Sequence, residues 1–117
     1  MEYYNGKYEG EWKNGLREGF GIYKYNNGDK YIGIWKNNLE EGNGRYIYKN
    51  GDIFDGEFKE GKREGKGIYK YKNNKIIQFY GKWKNNKKYG EGIIYYENEE
   101  ELEGIWEDDI MNNKRLK

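Results

Sequence analysis

At 117 residues, with 34% apolar and 37% charged side chains and a net charge of +1, the chain has the size of one domain and too little aliphatic surface for a thick core. Four Trp, fourteen Tyr and four Phe oppose disorder, because rings bring large buried areas with few rotatable bonds to freeze. The absence of His, Cys, Ser, Thr, Pro, Ala and Val excludes hydroxyl and thiol nucleophiles, imidazole acid–base chemistry and the usual zinc ligands, leaving Asp, Glu, Lys and Tyr as candidate catalysts.

The opening MEYYNGKYEG is neither a basic-then-apolar leader nor an anchor, and no run of about 18 apolar residues follows it. A cytosolic location is therefore expected, and zero Cys agrees with a reducing compartment. Residues 1–6 read as the tail of a preceding half-unit. From Tyr8 the sequence repeats: YEGEWKNGLREGFGIYKYNNGDK over 8–30, YIGIWKNNLEEGNGRYIYKNGDI over 31–53, a unit beginning FDGEFKEGKREGKGIYKY over 54–78, and one beginning FYGKWKNNKKYGEGIIYY over 79–101. A fifth start, LEGIW, covers 102–106. The spacing is 23 residues except in the third unit, which carries two more around Ile76 and Ile77.

Within each unit the order is ring-x-Gly-x-ring, a short polar turn, then Gly-x-Gly and alternating Tyr or Ile. A period of two means strand. In the first unit Tyr8, Gly10 and Trp12 share one face and Glu9 and Glu11 the other. On the second strand Gly19, Gly21, Tyr23 and Tyr25 alternate with Phe20, Ile22 and Lys24. Asn14-Gly15 between them is a strong hairpin signal, and Asn38, Gly61, Asn86 and Asp109 stand at the matching place in later units. The recurring strand glycines are read as room for a neighbouring ring to lie across the backbone. A phosphate-binding reading of Gly-x-Gly would need a helix after it, and a strand follows.

YEGEW, YIGIW, FDGEF, FYGKW and LEGIW, each of the first four followed by a turn and Gly-x-Gly, closely resemble the MORN repeat family over residues 8–106. The resemblance implies an all-β fold: an elongated, twisted single-layer antiparallel sheet of repeated β-hairpins, open as a trough, in one domain spanning 1–117. It also implies a non-enzymatic scaffold that docks segments of cytoskeletal or motor proteins or assembles structures beneath membranes. Phospholipid binding is attributed to many members. The chain departs from the family pattern at Phe58, which stands for a Trp, at residues 75–78, which lengthen a connection, and after Trp106. There, 107–117 lacks Gly-x-Gly and is expected to be a charged tail that caps the array or frays.

A single-layered sheet cannot cover both faces, so a binding surface is expected on it. By alternation Tyr8, Trp12, Tyr25, Trp35, Tyr48, Phe58, Tyr71, Trp83, Tyr96 and Trp106 form a ladder on the glycine-bearing face. Either these rings pack on one another, or the ladder offers an apolar groove to a helix or peptide of a partner protein. The opposite face mixes Phe20, Ile22, Ile32, Ile34, Ile47, Ile68, Ile93 and Ile105 with charges. Charge is segregated along the chain: Phe58 to Gly90 holds eleven Lys or Arg and two Glu, and Glu91 to Asp109 holds nine acids and no base. Lys70, Lys72, Lys75, Lys82, Lys84, Lys87 and Lys88 are the alternative site, for anionic phospholipid, against the bland reading of solvated sheet edges.

The charge segregation and the unpaired edges of the terminal strands invite self-association. Nucleic acid is not an expected partner, because the acidic block would repel its backbone. Glu99, Glu100, Glu101, Asp108 and Asp109 lack the spacing of a calcium loop, and no cofactor or metal is expected. A carboxylate-pair hydrolase is disfavoured because each Glu placed on a strand or turn falls at a repeating, solvated position.

Overall fold

The computed structural model describes residues 2–3 and 5–116, with side chains over 5–112. The strands are β1 (Glu2–Tyr3), β2 (Gly6–Lys13), β3 (Leu16–Tyr25), β4 (Lys30–Lys36), β5 (Leu39–Ile47), β6 (Ile53–Lys59), β7 (Lys62–Lys70), β8 (Ile76–Lys84), β9 (Lys87–Tyr96), β10 (Glu101–Glu107) and β11 (Ile110–Leu116). They form one open antiparallel sheet of 11 strands in chain order, measuring 50 × 25 × 19 Å. Each repeat is one hairpin.

Asn14 and Gly15 both take positive φ, at 52° and 77°, the type I′ geometry whose twist matches that of the flanking strands. The same geometry recurs at Asn37-Asn38, Glu60-Gly61, Asn85-Asn86 and Asp108-Asp109. From the second hairpin on, each turn docks on the hairpin before it. The amides of Asn38, Gly61, Asn86 and Asp109 donate to the carbonyls of Arg17, Glu40, Arg63 and Lys88 at 2.9–3.2 Å. Where the turn residue has a side-chain oxygen, the bond is returned. Arg17 N–H donates to Asn38 Oδ1 at 2.8 Å, Arg63 N–H to Asn86 Oδ1 at 2.8 Å and Lys88 N–H to Asp109 Oδ1 at 2.7 Å.

Gly61 has no oxygen to return the bond. Its φ of +83° suits Asn, and a Cβ there would meet nothing closer than 3.6 Å. The Glu40 carboxylate bonds its own backbone amide instead, so Gly61→Asn would only exchange one acceptor for another and is expected to shift stability by no more than about 0.5 kcal/mol, read from the urea midpoint.

The ring over the glycines is the packing unit. Tyr8 lies across Gly10 and Gly21, Tyr31 across Gly33 and Gly44, Phe54 across Gly56 and Gly67, and Phe79 across Gly81 and Gly92. The Trp or Phe two residues beyond the first glycine then bridges two units. Trp35 meets Tyr8 of the unit before and Tyr31 of its own, with ring centroids 5.5 and 5.1 Å away. Phe58 meets Tyr31 and Phe54 at 5.1 and 5.4 Å, and Trp83 meets Phe54 and Phe79 at 5.1 and 5.6 Å, all edge-on. Edge-to-face contact is the favourable geometry for aromatic pairs. The core is thus one line of rings coupled unit to unit, as in other repeat arrays.

The tail does not fray. Ile110–Leu116 forms β11 and pairs with β10 from Leu102↔Leu116 to Glu107↔Ile110. Asp108 and Asp109 adopt the turn conformation that Asn takes elsewhere, and Met111 packs on the core cluster. Gly-x-Gly is dispensable here because Leu102 has no ring to lay across the strand.

The lengthened connection is absorbed locally. The β8–β9 register shifts between Ile76 and Gln78 and resumes from Gln78↔Tyr95, up to a second shift between Gly81 and Lys82.

Candidate functional site

Of the ten-residue ladder, Tyr8, Trp35, Phe58, Trp83 and Trp106 are buried members of the core. Tyr25, Tyr48, Tyr71 and Tyr96 are half-buried, and Trp12 is 41% exposed. Tyr23, Tyr31, Phe54 and Phe79, outside the predicted ladder, are among the most enclosed rings of all. Beside this core runs a second file, Tyr23, Tyr25, Tyr46, Tyr48, Tyr69 and Tyr71, with successive centroids 4.4–5.8 Å apart.

Four of its hydroxyls donate internally. Tyr25 donates to Glu40 at 3.1 Å, Tyr46 to Asp29 at 2.8 Å, Tyr69 to Asp52 at 3.0 Å, and Tyr23 to Asn5. Burial, seconded by the neighbouring carboxylates, pushes the Tyr25, Tyr46 and Tyr69 phenols well above their ordinary range. Asp29 and Asp52 also accept the backbone N–H of Lys49 and Lys72, joining successive loops. In the fourth unit both partners are gone together: Ile77 stands where Asp would, two residues before Phe79, and Ile94 stands where Tyr would.

The ring face also holds a row of charged residues: Arg17, Glu40, Arg63 and Lys88, at one repeated position. Arg17 lies 4.8 Å from the Trp35 ring centre and Arg63 4.6 Å from that of Trp83, and Arg63 donates to the Tyr48 hydroxyl at 3.1 Å. Lys88 lies over Phe79 and Trp83 at 5.3 and 5.6 Å, and burial lowers its pKa. These are structural cations, held by ring faces and backbone carbonyls. The sequence carries their signal: stepping back by two from Gly21 and Gly19 puts Arg17 on the ring face.

Glu40 is the acidic member of the row. Burial raises its pKa, partly offset by its own backbone amide, the Tyr25 hydroxyl and Arg17. A carboxyl raised on folding gives stability that is full below the unfolded pKa and is lost as pH rises through the folded one. Glu40→Gln keeps an acceptor for Tyr25 without the charge. It should therefore raise the melting temperature at about pH 7, with the gain shrinking toward about pH 4. A difference that is flat with pH would contradict this.

The seven lysines of the basic block do not form one surface. Lys88 is in the ring face, Lys70 bonds Asp55 at 3.2 Å, and Lys72 and Lys75 sit in the β7–β8 connection at one long edge of the sheet. Lys84 and Lys87 flank the β8–β9 turn at the other edge, the length of β8 away, and Lys82 is on the outer face. Exposed lysines do line the turn edge: Lys13, Lys36, Lys59, Lys62, Lys84 and Lys87 flank successive turns. Among the described residues no group of acidic side chains converges to hold a metal ion, and no helix is long and apolar enough to cross a membrane.

The outer face, away from the rings, carries Phe20, Ile34, Tyr80 and Ile105, all more than 40% exposed. Toward the C-terminal end, over β7–β10, it sinks into a groove of about 550 Å3 lined by Lys66, Tyr80, Lys82, Glu91, Ile93, Glu103 and Ile105 with the backbone of Gly81, Gly92 and Gly104. Strand pairing orders the lining into two rows. In one, Lys66 pairs with Lys82 and Glu91 with Ile105, with a break between them where the register shift after Gly81 sets Lys82 opposite Tyr89; the other runs unbroken through Ile68, Tyr80, Ile93 and Glu103. Further toward the N-terminus Asp55 is engaged by Arg45 at 2.7 and 2.9 Å and by Lys70. Burial pushes its carboxyl up, but these bonds outweigh it and hold the pKa below the ordinary value.

A family model described as MORN repeat matches the chain four times, over residues 8–30, 31–53, 54–76 and 79–100. A search of curated proteins found no match.

Proposed function

The chain belongs to the MORN repeat family, whose members are non-enzymatic repeat modules that bind proteins or membranes, and from that premise we propose that it is a cytoplasmic scaffold docking a protein partner on the outer face of its sheet. The observation that supports this reading is the division of labour between the faces. On the ring face most of the aromatic surface packs on itself, Trp12 excepted, and the Tyr8, Tyr23, Tyr25, Tyr31, Tyr46 and Tyr69 hydroxyls donate internally. Among the described residues no second layer covers the outer face, which leaves Tyr80 and Ile105, each 42% exposed, around the groove. An uncovered apolar patch on a sheet is the usual mark of a docking surface.

Site-specific photo-cross-linking in the native cell tests this. With a photoreactive phenylalanine at Tyr80, a defined protein partner, identified by mass spectrometry, is expected to attach. At Tyr48, on the ring face, no partner should. Attachment at Tyr48 alone would return docking to the rings, and attachment at neither would remove the docking role.

A second reading, an anionic-phospholipid module, is favoured by the lysines along the turn edge. Flotation with phosphoinositide-containing vesicles at physiological salt, lost on reversing Lys59, Lys62, Lys84 and Lys87, would support it. Lys70, Lys72 and Lys75, three of the seven lysines of the predicted block, are the control, being tied to Asp55 or placed on the opposite edge.

A further inference from the structure

The groove has a polarity. Lys66 and Lys82 lie at its β7–β8 end and Glu91 on β9, and all three are exposed with no ion pair among the described residues. Between and beside them Tyr80, Ile93 and Ile105 supply the apolar contact.

The strands under the groove are interior: β7, β8, β9 and β10 are each paired on both sides. No free backbone edge is offered, so an occupant cannot be held by adding a strand. A segment seated there on apolar side chains must satisfy its own amides and carbonyls, which a helix does. Crossing from β7 to β10 covers three strand spacings, about 14 Å, or about nine residues of helix at 1.5 Å each.

We propose that the groove receives an amphipathic helix of the partner laid across β7 to β10, with its acidic amino-terminal end on Lys66 and Lys82 and its basic carboxyl-terminal end on Glu91. This rests on the outer-face docking reading and adds to it the partner's chemical class and direction. The direction is fixed because full side-chain charges outweigh the half-charges of the helix ends. The same arrangement, acids in the first turn and bases in the last, also stabilises the helix itself.

Two hydrocarbon-stapled peptides of about nine residues, the length that spans the groove, test the proposal. They share one apolar stripe at i, i+3, i+4 and i+7; one carries Glu in its first turn and Lys in its last, and the other has these exchanged. The staple equalises their helicity. Fluorescence anisotropy with the full chain should show the first binding about tenfold tighter, within the range of close charge pairs at an interface. The double variant Lys82→Glu with Glu91→Lys should invert the preference, and Tyr80→Glu should abolish binding of both with the far-ultraviolet spectrum unchanged.

Equal affinities, no binding of either peptide, or a preference that the double variant leaves intact would overturn the helix and its direction. Failure of both peptides while Tyr80 still cross-links a partner would reject the helix alone. Failure of both experiments would reject the docking face as well.

Discussion

Gly44→Ala is expected to destabilise the array by about 3 kcal/mol or more, although it adds a single methyl group. A Cβ at Gly44 would stand 2.2 Å from the Tyr31 hydroxyl oxygen and 2.5 Å from Cζ of the same ring. Tyr31 cannot yield. It is fully buried, with Trp35 and Phe58 edge-on at 5.1 Å each, and its hydroxyl donates to the Ile34 carbonyl at 3.0 Å. Gly42→Ala, two residues away, separates steric from conformational cost. Its nearest contact would be 3.9 Å, and only its φ of +69° resists a side chain, at about 1–2 kcal/mol. Urea unfolding of the pair should reproduce that order, and equal losses would mean that Tyr31 has room to move.

Trp35→Ala should cost about 3–5 kcal/mol and, beyond that, uncouple the first repeat from the rest. Trp35 is 2% exposed. It touches Tyr8 and Tyr23 of the unit before and Tyr31 of its own, lies under Arg17, and donates its indole N–H to the Gly21 carbonyl at 3.2 Å. In a linear array, stability is a sum of units and the interfaces between neighbours, so removing an interface should appear as loss of cooperativity. Hydrogen exchange should speed up in β2 and β3 well before β6 to β9. Trp12→Ala, at the same place in the first unit but half open to solvent, should be far milder. Uniform acceleration of exchange along the sheet would contradict the nearest-neighbour packing.

Much of this was legible in the residues. The 23-residue spacing, the period of two and Asn14-Gly15 dictate hairpins, and the ring-x-Gly pattern dictates a ring lying over glycine. The fate of each ring was not legible, because enclosure is decided across units: Tyr31 is sealed by Phe58 and Phe54 by Trp83, contacts that alternation within one strand cannot reveal. A recurring register shift after the first glycine, between Gly10 and Trp12, Gly33 and Trp35, and Gly56 and Phe58, is equally invisible to a period of two. The last strand was hidden because its glycines are missing, and they are dispensable only where Leu102 replaces a ring. The lysine block looked like a patch because its members are close in sequence. A hairpin sends sequence neighbours to opposite edges of the sheet, so proximity along the chain does not make one surface, and the outer-face rows emerge only from the successive pairing of β7, β8, β9 and β10.

Hydroxyl-radical footprinting of the intact chain, read residue by residue by mass spectrometry, tests most directly whether the rings are core and the outer face is free for docking. The packing predicts rapid modification of Trp12, Phe20, Tyr80 and Tyr89, each more than 40% exposed, and strong protection of Tyr31, Trp35, Trp83 and Trp106, all buried. Comparable modification of Trp35, Trp83 and Trp106 with Trp12 and Tyr80 would contradict it and restore the ring ladder as the open surface.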